Sequence, residues 1–399
     1  MKQIALVPIS VLPIPAVKGG AIETLMTLLA DENEKHGLVQ FHIFSVYDEE
    51  AERRTRKYTH SQFHFIKTCR SKLITKTVFF FSRVIRKFFI HDFIISEFYR
   101  KVFKICKESD FDFIVREGGT SDAFRRFAKE FGKEKILLHM HCHMLFEPKL
   151  AGIYGATIAV SHFVNAAWCE SLKNYPSEQD QKHFVVVNAV DEELFKKEVT
   201  AKERNEIRNG FGIREADVLL LYVGRIIEVK GVLELIEATL LIEDPHIKLL
   251  VIGSVNFATN ETSKYLKKVI DLTQQHPDKL KYLGYVDNSQ VFKYAKCADI
   301  RVFPAKWEEA GSLALVEAIH AGIPLIITRS GGMPEVVSEH GAIIIDKDKN
   351  LVQNITSAVT EIINTPGKTE RMKEANALQS EKFKKERFYQ NFINVFEHL

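Results

Sequence analysis

Glu309 and Glu317 are separated by seven residues in the stretch Phe303 to Val337, FPAKWEEAGSLALVEAIHAGIPLIITRSGGMPEVV. Gly311 and Ser312 open an apolar helix between them. N–H groups at a helix start lack intrahelical acceptors, and the helix dipole favours negative charge there. A carboxylate at Glu309 repels an anion bound at that point, so its natural partner is neutral, such as a sugar hydroxyl. From Gly311 to Glu317 a helix rises roughly 9 Å at about 1.5 Å per residue, about the length of a diphosphate joining two sugar rings. The spacing predicts one sugar near Glu309, phosphates at Gly311, Ser312 and Leu313, and a second sugar near Glu317.

Other candidates lie upstream. Gly19-Gly20 stands between an apolar strand, Ile4 to Val7, and a helix running to about His36, an arrangement that makes a backbone anion cradle. The spacing GxGxxG is absent, which argues against a nicotinamide enzyme. Arg116 and Glu117 end a strand, at the edge where α/β proteins place ligands. His139, His141 and His143 alternate along a strand-like run and could share a face. Cys142 would then point the other way and no second ligand cluster appears, so zinc is not expected. Asp110-Phe111-Asp112 could hold a divalent metal, but it leads directly into the strand Phe113 to Val115, and capping is the expected role.

These residues need elements to carry them, and bulk properties bound the choice. A chain of 399 residues predicts two domains. A net charge of +3 gives no case for nucleic acid. Five cysteines without a CxxC pair fit a reduced, cytoplasmic protein. The amino-terminal run reads as strand, loop and helix rather than a signal peptide, and no apolar run is long enough to span a bilayer. Residues 63–105 interleave Phe with Lys and Arg. That stretch either snorkels from core-facing helices or makes peripheral contact with an anionic membrane. Continuous apolar runs such as Val218 to Val223 and Leu325 to Thr328 read as buried parallel strands.

Glu309-x7-Glu317, the following Ala-x3-Gly-x-Pro run, the Gly331-Gly332-x-Pro334-Glu335 turn and the segment Gly224-Arg225 to Lys230-Gly231 together resemble the retaining glycosyltransferases of family 4. Where that family usually reads Glu-x-Phe-Gly, this chain reads Glu309-Ala310-Gly311, and the missing phenylalanine opens space beside the sugar. The resemblance implies a GT-B fold: two α/β Rossmann-like domains with parallel sheets facing across a cleft. Residues 1–195 would form the acceptor domain and 196–375 the nucleotide-sugar domain. Residues 376–399 would form a helix returning to the first domain.

It also implies that Glu309 holds the donor sugar and Glu317 the ribose, while Arg225 and Lys230 hold the diphosphate. Gly253 and Val286 would line the donor site, and Gly19 and Gly20 would face the donor. His141 would orient or stabilise reacting groups, with Arg116, Glu117, His139 and His143 on the acceptor side. The expected reaction moves a hexosyl unit from a nucleoside diphosphate sugar, by family habit a UDP-sugar, to a glycan or lipid-linked hydroxyl, with no cofactor and no divalent metal. A bacterial surface polysaccharide pathway is the family's habit. The alternatives are a nucleotide-sugar epimerase of the same fold, against which Glu-x7-Glu argues, and a non-catalytic partner of another transferase.

Overall fold

The computed structural model describes residues 1–9, 11–68, 93, 96–255 and 263–399. Most of the basic, aromatic stretch 63–105 and the turn after Val255 lie outside the described residues. The chain forms two compact units, Met1–Val187 with Glu386–Leu399, and Asn188–Lys385.

The first unit is built on seven strands: β1 (Lys2–Val7), β2 (Val39–Val46), β3 (Ser61–Ile66), β4 (Phe113–Gly118), β5 (Ile136–Met140), β6 (Ala156–Ala159) and β7 (Lys182–Val185). Their order is β3-β2-β1-β4-β5-β6-β7, and every pairing is parallel. The central strands bury both faces, as a sheet covered by crossover helices must. Asn33 ties this unit together. Its Nδ2 donates to the carbonyls of Val39 at 2.9 Å and His60 at 2.8 Å. Its Oδ1 accepts from the Tyr389 hydroxyl at 2.6 Å. The carboxyl-terminal helix Lys385–Glu397 thus docks on the first sheet, burying Phe388, Phe392 and Phe396. The helix before it, Lys368–Ser380, belongs to the second unit.

The second unit has six parallel strands in the order β10-β9-β8-β11-β12-β13. They are β8 (Val218–Val223), β9 (Ile247–Ile252), β10 (Leu280–Gly284), β11 (Ile300–Phe303), β12 (Leu325–Thr328) and β13 (Ala342–Ile345). In each sheet the winding direction reverses between two neighbours, β1 and β4 in one and β8 and β11 in the other. Such switch points leave a crevice beyond the strands' carboxyl ends, because the connecting helices diverge to opposite faces. No helix among the described residues is long and apolar enough to cross a membrane.

At the opposite, amino edge of the second sheet, Arg208 is buried and fastens β8 to β11. Its Nη1 donates to Cys297 O at 3.0 Å and Asp299 Oδ2 at 2.9 Å, and its Nη2 donates to the carbonyls of Arg214 and Asp217. Truncation to Ala removes the Arg208 donors from the carbonyls of Cys297 and Asp217, while Arg214 O keeps Asp217 N–H and Asp299 keeps Leu219 N–H and Arg204. We expect Arg208→Ala to destabilise the second unit by about 3 kcal/mol, read as a lower urea midpoint. An unchanged midpoint would show that the network contributes nothing net.

Candidate functional site

In a parallel sheet all carboxyl ends share one edge, so residues far apart in sequence collect there. In the second unit, Gly224 and Arg225 follow β8, Gly253 follows β9, Val286 follows β10, and the loop carrying Glu309 follows β11. Close backbone approaches set their positions. Gly253 has φ +144°, and a Cβ there would sit 1.8 Å from the Gly224 carbonyl oxygen. Gly231 has φ +70°, and a Cβ there would sit 1.9 Å from Pro304 O. The turn after β8 therefore lies directly on the loop after β11, and Lys230 is delivered to Glu309.

Glu309 is buried and well held. Its Oε1 accepts from Lys230 Nζ and, at 2.6 Å, from the Trp307 indole N–H. Its backbone N–H donates to Ser330 Oγ at 3.1 Å, and its carbonyl accepts from Gly332 N–H at 2.8 Å. The sequence reading gives Glu309 a neutral partner and Lys230 a phosphate. The structure pairs the two with each other, since opposite charges converging at a half-buried edge neutralise one another. Trp307 escaped the sequence reading. Its ring lies 5.9 Å from the Arg225 guanidinium and 5.3 Å from Lys230 Nζ, so one aromatic face gathers both cations. The signal available was a tryptophan between a lysine and two glutamates in a loop that should otherwise be polar.

The helix beyond is Leu313–Ala321, with Ser312 as its cap, its Oγ accepting from Leu315 N–H at 3.3 Å. Gly311 lies outside the helix, and its carbonyl accepts from Asn188 Nδ2 at 3.1 Å. The helical ruler is accordingly shorter than the sequence spacing implied, about 6 Å from Leu313 to Glu317 at about 1.5 Å per residue. Glu317 is part-exposed on this helix. Behind it, 3.8 Å from Oε2, is Nη2 of the buried Arg301.

In the first unit, Glu117 is buried at the end of β4. Its Oε2 accepts from His141 Nε2 at 2.7 Å and lies 2.9 Å from His139 Nδ1. The strand stops at Met140, so the expected alternation does not reach His143. His143 is exposed with its ring 5.0 Å from Phe163, and it does not join the other two. Arg116 is buried beside the rings of Tyr99 and Phe124, with Nη1 donating to Glu117 O at 2.8 Å and Val7 O at 3.3 Å. Glu117, His139 and His141 offer three converging ligand atoms. Of the two imidazoles only His141 hydrogen-bonds the carboxylate, and neither ring nitrogen of His139 has a hydrogen-bond partner among the described residues.

At Gly20, where an anion cradle is expected, the nearest group is the chain's own Glu23 carboxyl. Glu23 folds back so that a Cβ on Gly20, φ +101°, would lie 2.1 Å from its Oε2. Burial pushes the Glu23 carboxyl above its ordinary value. Asp112 Oδ2 accepts from Gln3 N–H at 2.7 Å, joining the starts of β4 and β1 at the sheet edge away from the ligand side.

These geometries match known proteins at two levels. The two parallel-sheet Rossmann-like domains are those of the GT-B fold. The structure of Anabaena Alr3699/HepE in complex with UDP-glucose aligns with a TM-score of 0.73 at 16% identity over 100% of both chains. Residues 203–379, a span within the second unit, match the family described as Glycosyl transferases group 1. Spore coat protein SA of Bacillus subtilis is 27% identical over 201 residues, 49% of this chain and 52% of that protein. Lipopolysaccharide 1,2-N-acetylglucosaminetransferase of Salmonella typhimurium is 29% identical over 217 residues, 54% of each. The chain thus spans about half the length of these curated relatives.

Burial, followed by the charge of His139, holds His141 down to about 4, against an ordinary 6.5. Burial pushes Glu117 up, but the two imidazoles outweigh it and hold the carboxyl down to about 2. At neutral pH the pair is a neutral imidazole donating Nε2–H to a carboxylate. Between about 6.5 and about 4 the unfolded chain takes a proton that folded His141 refuses, so the stability this residue contributes is present above that window and lost as pH falls through it. Imidazole 15N NMR, assigned by loss of the signal in His141→Asn, should give a midpoint near 4. An ordinary midpoint would refute the buried, neutral state.

Proposed function

We propose that this protein transfers a hexosyl unit from a nucleoside diphosphate sugar, a UDP-sugar, to a hydroxyl acceptor with retention at the anomeric carbon. The observation that carries this is the cluster of Lys230, Glu309 and Trp307 beside the Ser312-capped helix, with Glu317 further along that helix. The relatives' names, a UDP-glucose complex and an N-acetylglucosaminetransferase, support the donor class. Gly253 and Val286, at the ends of β9 and β10, are assigned to the base and sugar of the donor.

An arriving diphosphate competes for Lys230 and takes Arg225 as its second cation. Arg supplies a planar fork and Lys a point charge, and both stabilise the charge that builds on the leaving group. The Ser312 and Leu313 N–H groups face the same anion. Glu309, released from Lys230 and still fixed by Trp307 and Ser330, accepts sugar hydroxyls. Glu317 accepts the ribose hydroxyls. The bond from the anomeric carbon to the diphosphate breaks, and the acceptor oxygen bonds to that carbon on the same face. The acceptor's proton passes to the departing phosphate oxygen, and no divalent metal is needed for charge balance. In the first unit, Glu117 and His141 are assigned to the acceptor. The acceptor class is a glycan or lipid-linked hydroxyl, as in bacterial surface glycoconjugates.

Glu309→Ala should remove transfer while circular dichroism and melting temperature stay near the parent's. Unchanged turnover would take Glu309 out of the site. Arg225→Ala with Lys230→Ala should weaken UDP binding by at least about tenfold in calorimetry, and equal affinity would refute the assignment. Chelator should leave turnover intact. A loss restored by manganese would return Asp110 and Asp112 to consideration.

A further inference from the structure

Arg301 has no role in the reaction as drawn, and its position demands one. It is the second residue of β11, a strand hydrogen-bonded on both sides, to β8 and β12. Its neighbours Ile300, Val302 and Phe303 are buried and apolar, and Arg301 itself is 0% exposed. None of Nε, Nη1 and Nη2 has a hydrogen-bond partner among the described residues. The guanidinium lies 5.1 Å from the Phe303 ring. A single carboxylate stands near it, Glu317, with Oε2 3.8 Å from Nη2.

An arginine side chain remains charged in proteins, and an unpaired buried charge is strongly unfavourable. An apolar side chain of similar length would suit this strand better, so fold stability does not account for the arginine. What the position supplies is a fixed positive charge directly behind Glu317. That carboxyl needs one. Burial pushes it above its ordinary value, and Arg301 pulls it back. The distinction matters for the chemistry proposed at Glu317. A carboxylate accepts from two vicinal hydroxyls at once, one on each oxygen. A neutral carboxyl has one oxygen occupied by its own proton and loses that paired acceptance.

We propose that Arg301 is a positioning residue that fixes the Glu317 carboxylate for the 2′ and 3′ hydroxyls of a ribose, and so sets selection of ribonucleotides over 2′-deoxyribonucleotides. This rests on the reading of Glu317 as the ribose ligand. The guanidinium touches no substrate itself, because the side chain is enclosed, and it acts through Glu317 alone.

The test is calorimetric titration of the full chain with UDP and with 2′-deoxy-UDP. The two probes share base and diphosphate, so general loosening of the site moves both affinities alike, and only their ratio reports the ribose contact. The parent should prefer UDP by about tenfold or more, the worth of one hydrogen bond to a charged group. Arg301→Met should bring the two affinities to within about threefold while melting at or above the parent temperature, since apolar replacement of a buried ion is commonly neutral or stabilising. Arg301→Gln reads the same ratio should the Met variant not fold. Glu317→Gln should also collapse it. A preference kept in Arg301→Met or Arg301→Gln but lost in Glu317→Gln overturns the role of Arg301 and leaves the ribose reading standing. A parent with no preference overturns the ribose reading, and the role of Arg301 with it.

Discussion

The backbone of Glu309 rests directly on the Gly331-Gly332 turn. A Cβ on Gly331, whose φ is +51°, would lie 2.1 Å from the Glu309 carbonyl oxygen, so no side chain fits between the two segments. The same economy recurs where Gly231 meets Pro304 and where Gly253 meets Gly224. Three loops that leave the sheet at different strands are thereby pressed together through main-chain atoms. Main chain is stiffer than side chain and its hydrogen bonds are local, so the loops inherit the rigidity of the sheet. The acidic side chain at 309, the lysine at 230 and the cation at 225 gain defined positions without themselves being packed in a core. A loop spaced by side chains would place Glu309 less accurately.

This constraint shows why charge gathers at one edge. The amino edge of the second sheet is closed by Arg208, whose donors are spent on carbonyls and Asp299. The carboxyl edge keeps charges whose partners are exchangeable. Lys230 and Glu309 neutralise each other where the turns after β8 and β11 meet. The indole of Trp307 then matters twice, since its face accommodates Arg225 and Lys230 while its N–H holds the carboxylate in place.

Much of this could be read from residue order, for identifiable reasons. Continuous apolar runs placed the buried parallel strands, and Leu325–Thr328 and Val218–Val223 coincide with the observed strands, because strands buried on both faces leave no other pattern. The glycines at 231, 253 and 331 entered the sequence reading through motif resemblance, and the close backbone approaches that require them are seen only in the structure. What escaped depends on direction rather than identity. His139 and His141 share one carboxylate, but β5 ends at Met140 and His143 turns away, a one-residue matter that periodicity does not resolve. Arg116 and Glu117 are neighbours on a strand and so face opposite sides, which separates a residue packed beside aromatic rings from one in the histidine cluster. Arg301 reads as a polar alternation in a short strand, the usual mark of a solvent face, and only the structure shows both faces covered. The Glu23 carboxyl over Gly20 depends on a rotamer, which no spacing reveals.

Burial raises both the Glu117 and the Glu317 carboxyl, and nearby groups oppose it in different ways. Glu117 has two imidazoles close to a single oxygen, and their combined effect exceeds the desolvation that would otherwise protonate it. At neutral pH the result is a fixed arrangement, a neutral His141 imidazole donating to an ionised carboxylate. Glu317 has one guanidinium that never gives up its proton and stands 3.8 Å away without a hydrogen bond. Such a partner supplies field but not proton, and it occupies neither carboxylate oxygen. Glu117 is therefore held by partners in direct contact with one of its oxygens, and Glu317 by a fixed charge behind it, and the two carboxylates differ in kind as well as in place.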